Sequence, residues 1–318
     1  MTDERLSSTH LPKAAGATEL VAVLVAATQG VAKVLTVAQG RALPSGPLSP
    51  IHRSLQAGVR AWVASQTHHP LGYVEQLYTF ADTQRLTDAG HCVVYVSYLG
   101  LVREAAESLD EQATWQAWYD YFPWEDHREG RPVWLDTQVL PRLNRWAAQG
   151  TGLAQQQHRA QRVAMCFGEA EGSWNEESVL QRYELLYEVG LVPESPQYAA
   201  QAADELTILL GRSMWHDHRR VLATAMARLR AKIKYRPVIF ELMPPEFTLL
   251  QLQQNVEALA GVGLHKQNFR RLMAHQNLIE ATGAMAAQER GRPAQLYRFK
   301  ENVLLERSMS GSKLPVAK

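Results

Sequence analysis

Cysteine is scarce in this 318-residue chain: only Cys92 and Cys166 occur, with no partners at metal-ligand spacing. That argues against a disulfide framework and fits a reducing cytoplasm. Long apolar runs are missing as well. The most apolar stretch, Leu20 to Ala27, is far too short to cross a bilayer. The opening MTDERLSSTHLPKAA has no apolar core and does not read as a signal peptide. Residues 20–74 contain no Asp or Glu, so that region lacks the hard oxygen ligands that magnesium chemistry needs. What remains is an ordinary globular composition, 46% hydrophobic and 20% charged, in a chain long enough for two cores.

The net charge of +1 conceals an asymmetry. From Arg219 onward there are 17 Lys+Arg against 7 Asp+Glu, a net of +10, which leaves 16 against 25, a net of −9, for residues 1–218. A basic module that meets a polyanion, joined to an acidic module with another task, accounts for this better than a merely solvated basic face.

Apolar runs on either side of Thr28-Gln29-Gly30 predict a β-hairpin over 19–35. In residues 52–66, Leu55, Val59, Trp62 and Val63 share one face of an amphipathic helix. Strands are expected at Val74 to Phe80 and Cys92 to Leu101, where CVVYVSYLGL is rich in β-branched and aromatic residues. This order is an α+β pattern. Residues 111–134 concentrate Trp115, Trp118, Tyr119, Tyr121, Phe122, Trp124 and Trp134. The chain then reads as helical to about 235. There Val221, Ala225, Leu229 and Ile233 form a stripe suited to packing on the N-terminal domain or on a partner subunit.

Two surviving positions of a known box sit in the acid-free region. In the Nudix signature, G-x5-E-x7-R-E-U-x-E-E-x-G, Gly46 takes the glycine and Arg60 the arginine, fourteen positions on. Its acidic positions are occupied by His52, Ala61, Ala64 and Ser65, and its last glycine by Thr67. A neutral helix cannot hold the metal that stabilises attacking water and leaving phosphate, so hydrolysis by the usual route is not expected. The following YVEQLYTFADTQR and VVYVSYLGLV resemble the strand pair of Nudix-related transcriptional regulators of NAD metabolism (NrtR-like proteins). The resemblance implies a Nudix-like α/β/α sandwich.

The C-terminal part carries the more specific likeness. FELMPPEFTLLQLQQNVEALAG, LHKQNFRRLMAHQNLIEATG and GRPAQLYRF resemble the winged helix of the same regulators. Thr248 is placed to cap a helix whose apolar face is Leu249, Leu252, Val256 and Leu259, and Gly261-Val262-Gly263 breaks it. A second helix, His265 to Gln276, completes a helix-turn-helix. With Phe269, Leu272 and Met273 inward, its outer face holds Gln267, Arg271 and Ala274, flanked by Lys266, Asn268 and Arg270. Arginine reads guanine and glutamine or asparagine reads adenine. No acid occurs between Leu264 and Ile279. Two strands, Ile279 to Gln288 and Gln295 to Phe299, are expected around a wing turn with Arg290 and Arg292. Its Arg-Gly-Arg-Pro resembles a minor-groove hook, although phosphate contact explains it equally well.

The stretch WQAWYDYFPWEDHREGRPVW resembles the insert of NadQ-type repressors, whose Nudix box is likewise degenerate. Trp124, His127, Arg128 and Arg131, with Arg53 and Arg60 on the earlier helix, are the candidate contacts to a nucleotide. A core or dimer interface is the competing use of these aromatics. His216-Asp217-His218 offers no fourth ligand, and no metal site is expected.

These readings divide the chain into a Nudix-like sensor (1–165, with the insert at about 111–134), a helical linker or dimerisation region (166–235) and a winged helix (236–318). The expected function is a cytoplasmic homodimeric repressor of NAD-biosynthesis genes on a palindromic DNA operator, with no membrane attachment and no catalytic cofactor. Its effector would be a nucleotide of the NAD, ATP or ADP-ribose class. The alternatives are a Nudix hydrolase of ADP-ribose-like dinucleotides with a nucleic-acid tether, and an RNA-binding adaptor.

Overall fold

The computed structural model describes residues 17–69, 71–72, 74–86, 92–104, 112–168, 174–198, 209–235, 238–286 and 293–301. Strand β1 (Ala17–Thr28) is a near-continuous run of Leu, Val and Ala because both of its faces are covered. The chain reverses at Gln29–Gly30, both with positive φ, and returns as β2 (Val31–Thr36), Val25 opposite Val34. The expected hairpin is therefore present. With β3 (Ser45–Pro47), β4 (Val74–Leu86), β5 (Cys92–Leu101) and β6 (Thr114–Ala117), it forms one sheet of order β4-β5-β1-β2-β6, β3 also pairing β1. Only the β1–β5 pairing is parallel, Leu20 beside Val96. Strand β4 continues past the expected end at Phe80, pairing Asp82 with Val93 and Leu86 with Cys92. An edge strand can extend on backbone bonds after its apolar pattern has stopped.

Helix α1 (Leu55–Thr67) begins where the Ser54 hydroxyl accepts from the Ala57 amide at 3.1 Å. Its Val59 and Val63 pack with Leu20, Ala22 and Leu24 on one face of the sheet. The opposite face, Val21, Val23 and Val25, packs on the aromatic insert and the helices that follow. The result is the expected α+β sandwich. Its helical layer contains α2 (Leu140–Ala148), α3 (Leu153–Phe167), α4 (Val179–Val189) and α5 (His218–Tyr235). The sequence division at 165/166 falls inside α3.

Val221, Ala225 and Leu229 of α5 are buried, but so are Leu222, Ala223 and Met226. The helix is therefore enclosed on most sides, against α4, β1, β4 and the next helix of its own chain. That next helix, α6 (Leu249–Ala260), starts with a complete capping box between Thr248 and Gln251 and ends at Gly261. Helix α7 (Lys266–Gln276) follows, with His265 as its N-cap residue. Strands β7 (Phe247–Thr248), β8 (Ile279–Ala286) and β9 (Ala294–Phe299) form a small sheet of order β7-β9-β8. Among the described residues no helix is long and apolar enough to cross a membrane.

Candidate nucleic-acid interface and sensor site

Helix α7 is anchored by one buried side chain, Phe269, with Met273 half-buried beside it. Lys266, Gln267, Asn268, Arg270, Arg271 and Ala274 are all exposed. This places every expected reading residue of the helix on one solvent-facing surface without an acid. The only side-chain bond among them joins Arg271 Nη2 weakly to Asn268 Oδ1 at 3.4 Å. Leu272 departs from expectation in part: it lines the cavity under the helix, yet is 48% exposed, because the narrow α6–α7 contact covers little more than Phe269. An apolar cavity of about 420 Å³ lies under α7, walled by Ile233, Leu252, Val256, Met273 and Phe299, with Arg230 at one end. Strands β8 and β9 form the expected wing, and its tip, with Arg290 and Arg292, lies outside the described residues.

At the degenerate box, neutral groups hold the loop to the helix. The Trp62 indole lies so close to Gly46 that a Cβ there would come within 2.3 Å of the ring, which explains why this glycine is retained. Trp62 Nε1 donates to Pro47 O at 3.0 Å, and Gln66 bonds both the amide and the carbonyl of Ser45. Ala61, Ala64 and Ser65 face solvent with nothing that ligates a divalent ion, and Thr67 is buried with its hydroxyl on Val63 O. Among the described residues no group of three or more His, Cys, Asp or Glu is arranged to hold a metal.

The two sets of nucleotide candidates are not brought together. Arg53 and Arg60 belong to the α1 side of the sheet, whereas Trp124 packs in the core on the other side. Arg60 is not free: its guanidinium donates to Leu71 O and, at 2.6 Å, to Gly72 O, tying down the loop after α1. Arg53 stays exposed.

Trp124 cannot line an open pocket, because it is wholly buried together with Trp118, Tyr121 and Phe122. Each such ring removes about 150–250 Å² from water, and at about 25 cal/mol per Å² that is a core-forming contribution. His127 stacks on Trp174 with ring centres 4.0 Å apart, and burial holds its imidazole below the usual range. Arg128 makes a two-bond pair with Asp126 and also donates to Gly30 O at 2.8 Å. Arg131 pairs with Asp136 at 2.9 Å. Trp118, Tyr121, Phe122 and Trp124 thus belong to the core, while His127, Arg128 and Arg131 are half-buried around them.

Sequence reasoning missed a fully buried ion cluster. Glu125 accepts from Arg182 Nε and Nη2 at 2.5 and 2.8 Å and from Arg230 Nη1 at 2.6 Å. Burial alone would raise the Glu125 carboxyl. The charges and hydrogen bonds of the two arginines outweigh it and hold the group below its ordinary value. The stretch WYDYFPWED (118–126) carries three acids beside its aromatics, and nothing in the sequence alone singles out Glu125 among them. His218 of the His-Asp-His segment accepts the Leu43 amide on Nδ1 at 2.9 Å, and Asp217 pairs with Arg220 at 2.7 Å. Both bonds are internal to the chain.

Residues 239–299 match the family model of the NrtR DNA-binding winged helix domain. A curated relative, the ADPR responsive transcriptional repressor NtrR of Acinetobacter baylyi, is 43% identical over 83 residues. That match spans 26% of this chain and 33% of the relative, so only a third of its length is covered. NrtR of Shewanella oneidensis, solved with a 27mer DNA, superposes on 90% of this chain and 94% of its own, with TM-score 0.51 and 21% identity. A MutT/nudix family protein of Enterococcus faecalis covers 93% of this chain and 90% of its own, with TM-score 0.50 and 16% identity. These likenesses show the fold: a Nudix-like body followed by a winged helix, as the sequence resemblance implied.

Proposed function

We propose, from the premise of an NrtR-type winged helix on a Nudix-like body, that this chain is a DNA-binding transcriptional repressor governed by a nucleotide. The observation that carries the proposal is α7: five side chains able to read or grip DNA, exposed on one helix without an acid among them. The relative that is 43% identical over 83 residues is named for its response to ADPR, so ADP-ribose ranks ahead of NAD and ATP as effector. Helix-turn-helix proteins that read palindromes are two-fold dimers, and the reading here is a cytoplasmic homodimer on NAD-biosynthesis genes. Lys266, Gln267, Asn268, Arg270 and Arg271 are assigned to the major groove and Arg290 and Arg292 to the wing contact. Exposed Arg53 remains a candidate phosphate contact.

The chain is read as a non-enzyme because its box presents alanine and serine where a metal would need carboxylates. Incubation with ADP-ribose or NAD and magnesium or manganese should yield no product above a blank. Clear turnover would favour the hydrolase alternative.

The decisive experiment selects duplexes from a random library and titrates the winner with and without ADP-ribose, NAD and ATP. A coupling of about 1–3 kcal/mol shifts affinity about 5–150-fold. Failure to select any duplex sinks the DNA reading, and an affinity indifferent to all three nucleotides sinks the sensor reading. Preference for structured RNA over every duplex would favour the adaptor.

A further inference from the structure

The helix-turn-helix is held by the sensor at the point that sets its geometry. The last carbonyls of a helix have no partner within it. At the end of α6, two of these are taken by sensor-side groups: Ala258 O accepts from the Tyr119 hydroxyl at 2.7 Å, and Leu259 O from Arg230 Nε at 3.1 Å. Two residues after Leu259, Gly261 O accepts from the His127 amide at 2.7 Å. A cation at this end also meets the negative pole of the helix. Gly261 has φ +77°, and a Cβ there would come within 2.4 Å of Glu125 O and 2.5 Å of Arg230 Nη2. The turn is therefore pressed against the ion cluster with no room to spare.

Within the turn, Glu257 Oε1 accepts from the Leu264 amide at 2.8 Å, so the start of α7 is referred to the same helix end. Arg230 is fixed in turn by the Glu125 carboxylate, the Glu125 carbonyl and Glu176 O, and its Nη2 donates to the Tyr119 hydroxyl at 3.2 Å. Glu125 is fixed by Arg182. The chain of contacts runs from the buried insert to the recognition helix without a gap.

We infer that Glu125 is a positioning residue for DNA recognition: through Arg230 and Tyr119 it holds the helix-turn-helix at one angle to the sensor body. This inference rests on the DNA-binding reading. An isolated recognition helix would still read its half-site if the cluster broke. What would be lost is the fixed relation of that helix to the body, and in a dimer the spacing between half-sites.

The test uses the full chain with Glu125→Gln and, as a milder variant that keeps the buried charges, Tyr119→Phe, which removes the bond to Ala258 O and the one accepted from Arg230 Nη2. Amide exchange at residues 261–264 should speed up by about ten-fold or more while β1 and β5 keep wild-type protection. In duplexes carrying two copies of a selected half-site, the wild type should prefer one spacing and the variants should prefer none. Affinity for a single half-site should stay within about two-fold, since no base contact is touched. Unchanged exchange at 261–264 overturns the inference, as does an equal loss at every spacing, which would mark a merely structural role. If the wild type selects no duplex, the functional reading fails while the exchange measurement still decides whether Glu125 positions the turn.

Discussion

Two helices that read as equally basic in sequence have opposite fates in the fold. Helix α7 shows Lys266, Arg270 and Arg271 to solvent. Helix α5 carries Arg219, Arg220, Arg228, Arg230, Lys232 and Lys234, yet Arg219 and Arg230 are buried. Arg219 reaches Glu194 at 3.2 Å and the carbonyls of Tyr121 and Leu210, and lies over the rings of Phe122 and Trp124. Lys232 pairs with Glu75 of β4. The basic character of α5 is largely neutralised by acids of the acidic half of the chain, whereas that of α7 is not. Charge asymmetry along a sequence thus locates a polyanion surface only after the internal pairs are subtracted.

The comparison is broken most severely by Arg230→Leu. Removing one partner leaves Glu125 with a single arginine in a buried site, and unfolding should become easier by about 3–5 kcal/mol, read from denaturant midpoints. A loss below about 0.5 kcal/mol, the range of a surface change, would mean the cluster is not a structural unit. Arg271→Ala should do the reverse: stability unchanged, but operator binding weaker by about 1–3 kcal/mol with relaxed base preference. If Arg271→Ala destabilises the fold instead, α7 is a packing helix and the contrast with α5 disappears.

Acid should act on the buried side of the contrast alone. His127 and Glu125 both have lowered values in the fold. For each, the unfolded chain binds more protons, so stability falls as pH falls. The loss should begin as pH drops below the ordinary histidine value of 6.5 and deepen once the ordinary glutamate value of 4.5 is passed. Thermal melting across that window checks it, and His127→Gln should flatten the upper part. A midpoint that rises on acidification would contradict both directions. The smallest effect belongs to Arg228, which is exposed on α5: Arg228→Ala should change stability by no more than about 0.5 kcal/mol and leave operator affinity alone. Weaker binding by this variant would extend the DNA surface onto α5.

Much of the architecture was legible because its signals are local. The hairpin turn at Gln29–Gly30, the Thr248 cap and the Gly261 stop act over a few residues, and periodicity placed α1, α6 and α7 within three residues of their observed starts. The exposed set on α7 followed from Phe269, Leu272 and Met273 taken as inward and the helical repeat, although Leu272 proves half exposed. The sensor candidates fared differently. Arg60 kept its motif position but spends its guanidinium on Leu71 and Gly72, and Trp124 went to the core.

The sequence by itself determined the hairpin, helices α1, α6 and α7, the α+β class, the neutral box and the acid-free face of α7, since each rests on spacing and residue type along one segment. Tertiary structure decided which charges remain available. The partner of Arg230 is Glu125, 105 residues earlier, and the acceptors at the end of α6 meet donors from Tyr119 and His127 across the same distance scale. No periodicity encodes such a meeting. It arises because a charge taken out of water must find its counter-charge and hydrogen bonds inside, and only the packed fold determines which residues are near enough to supply them.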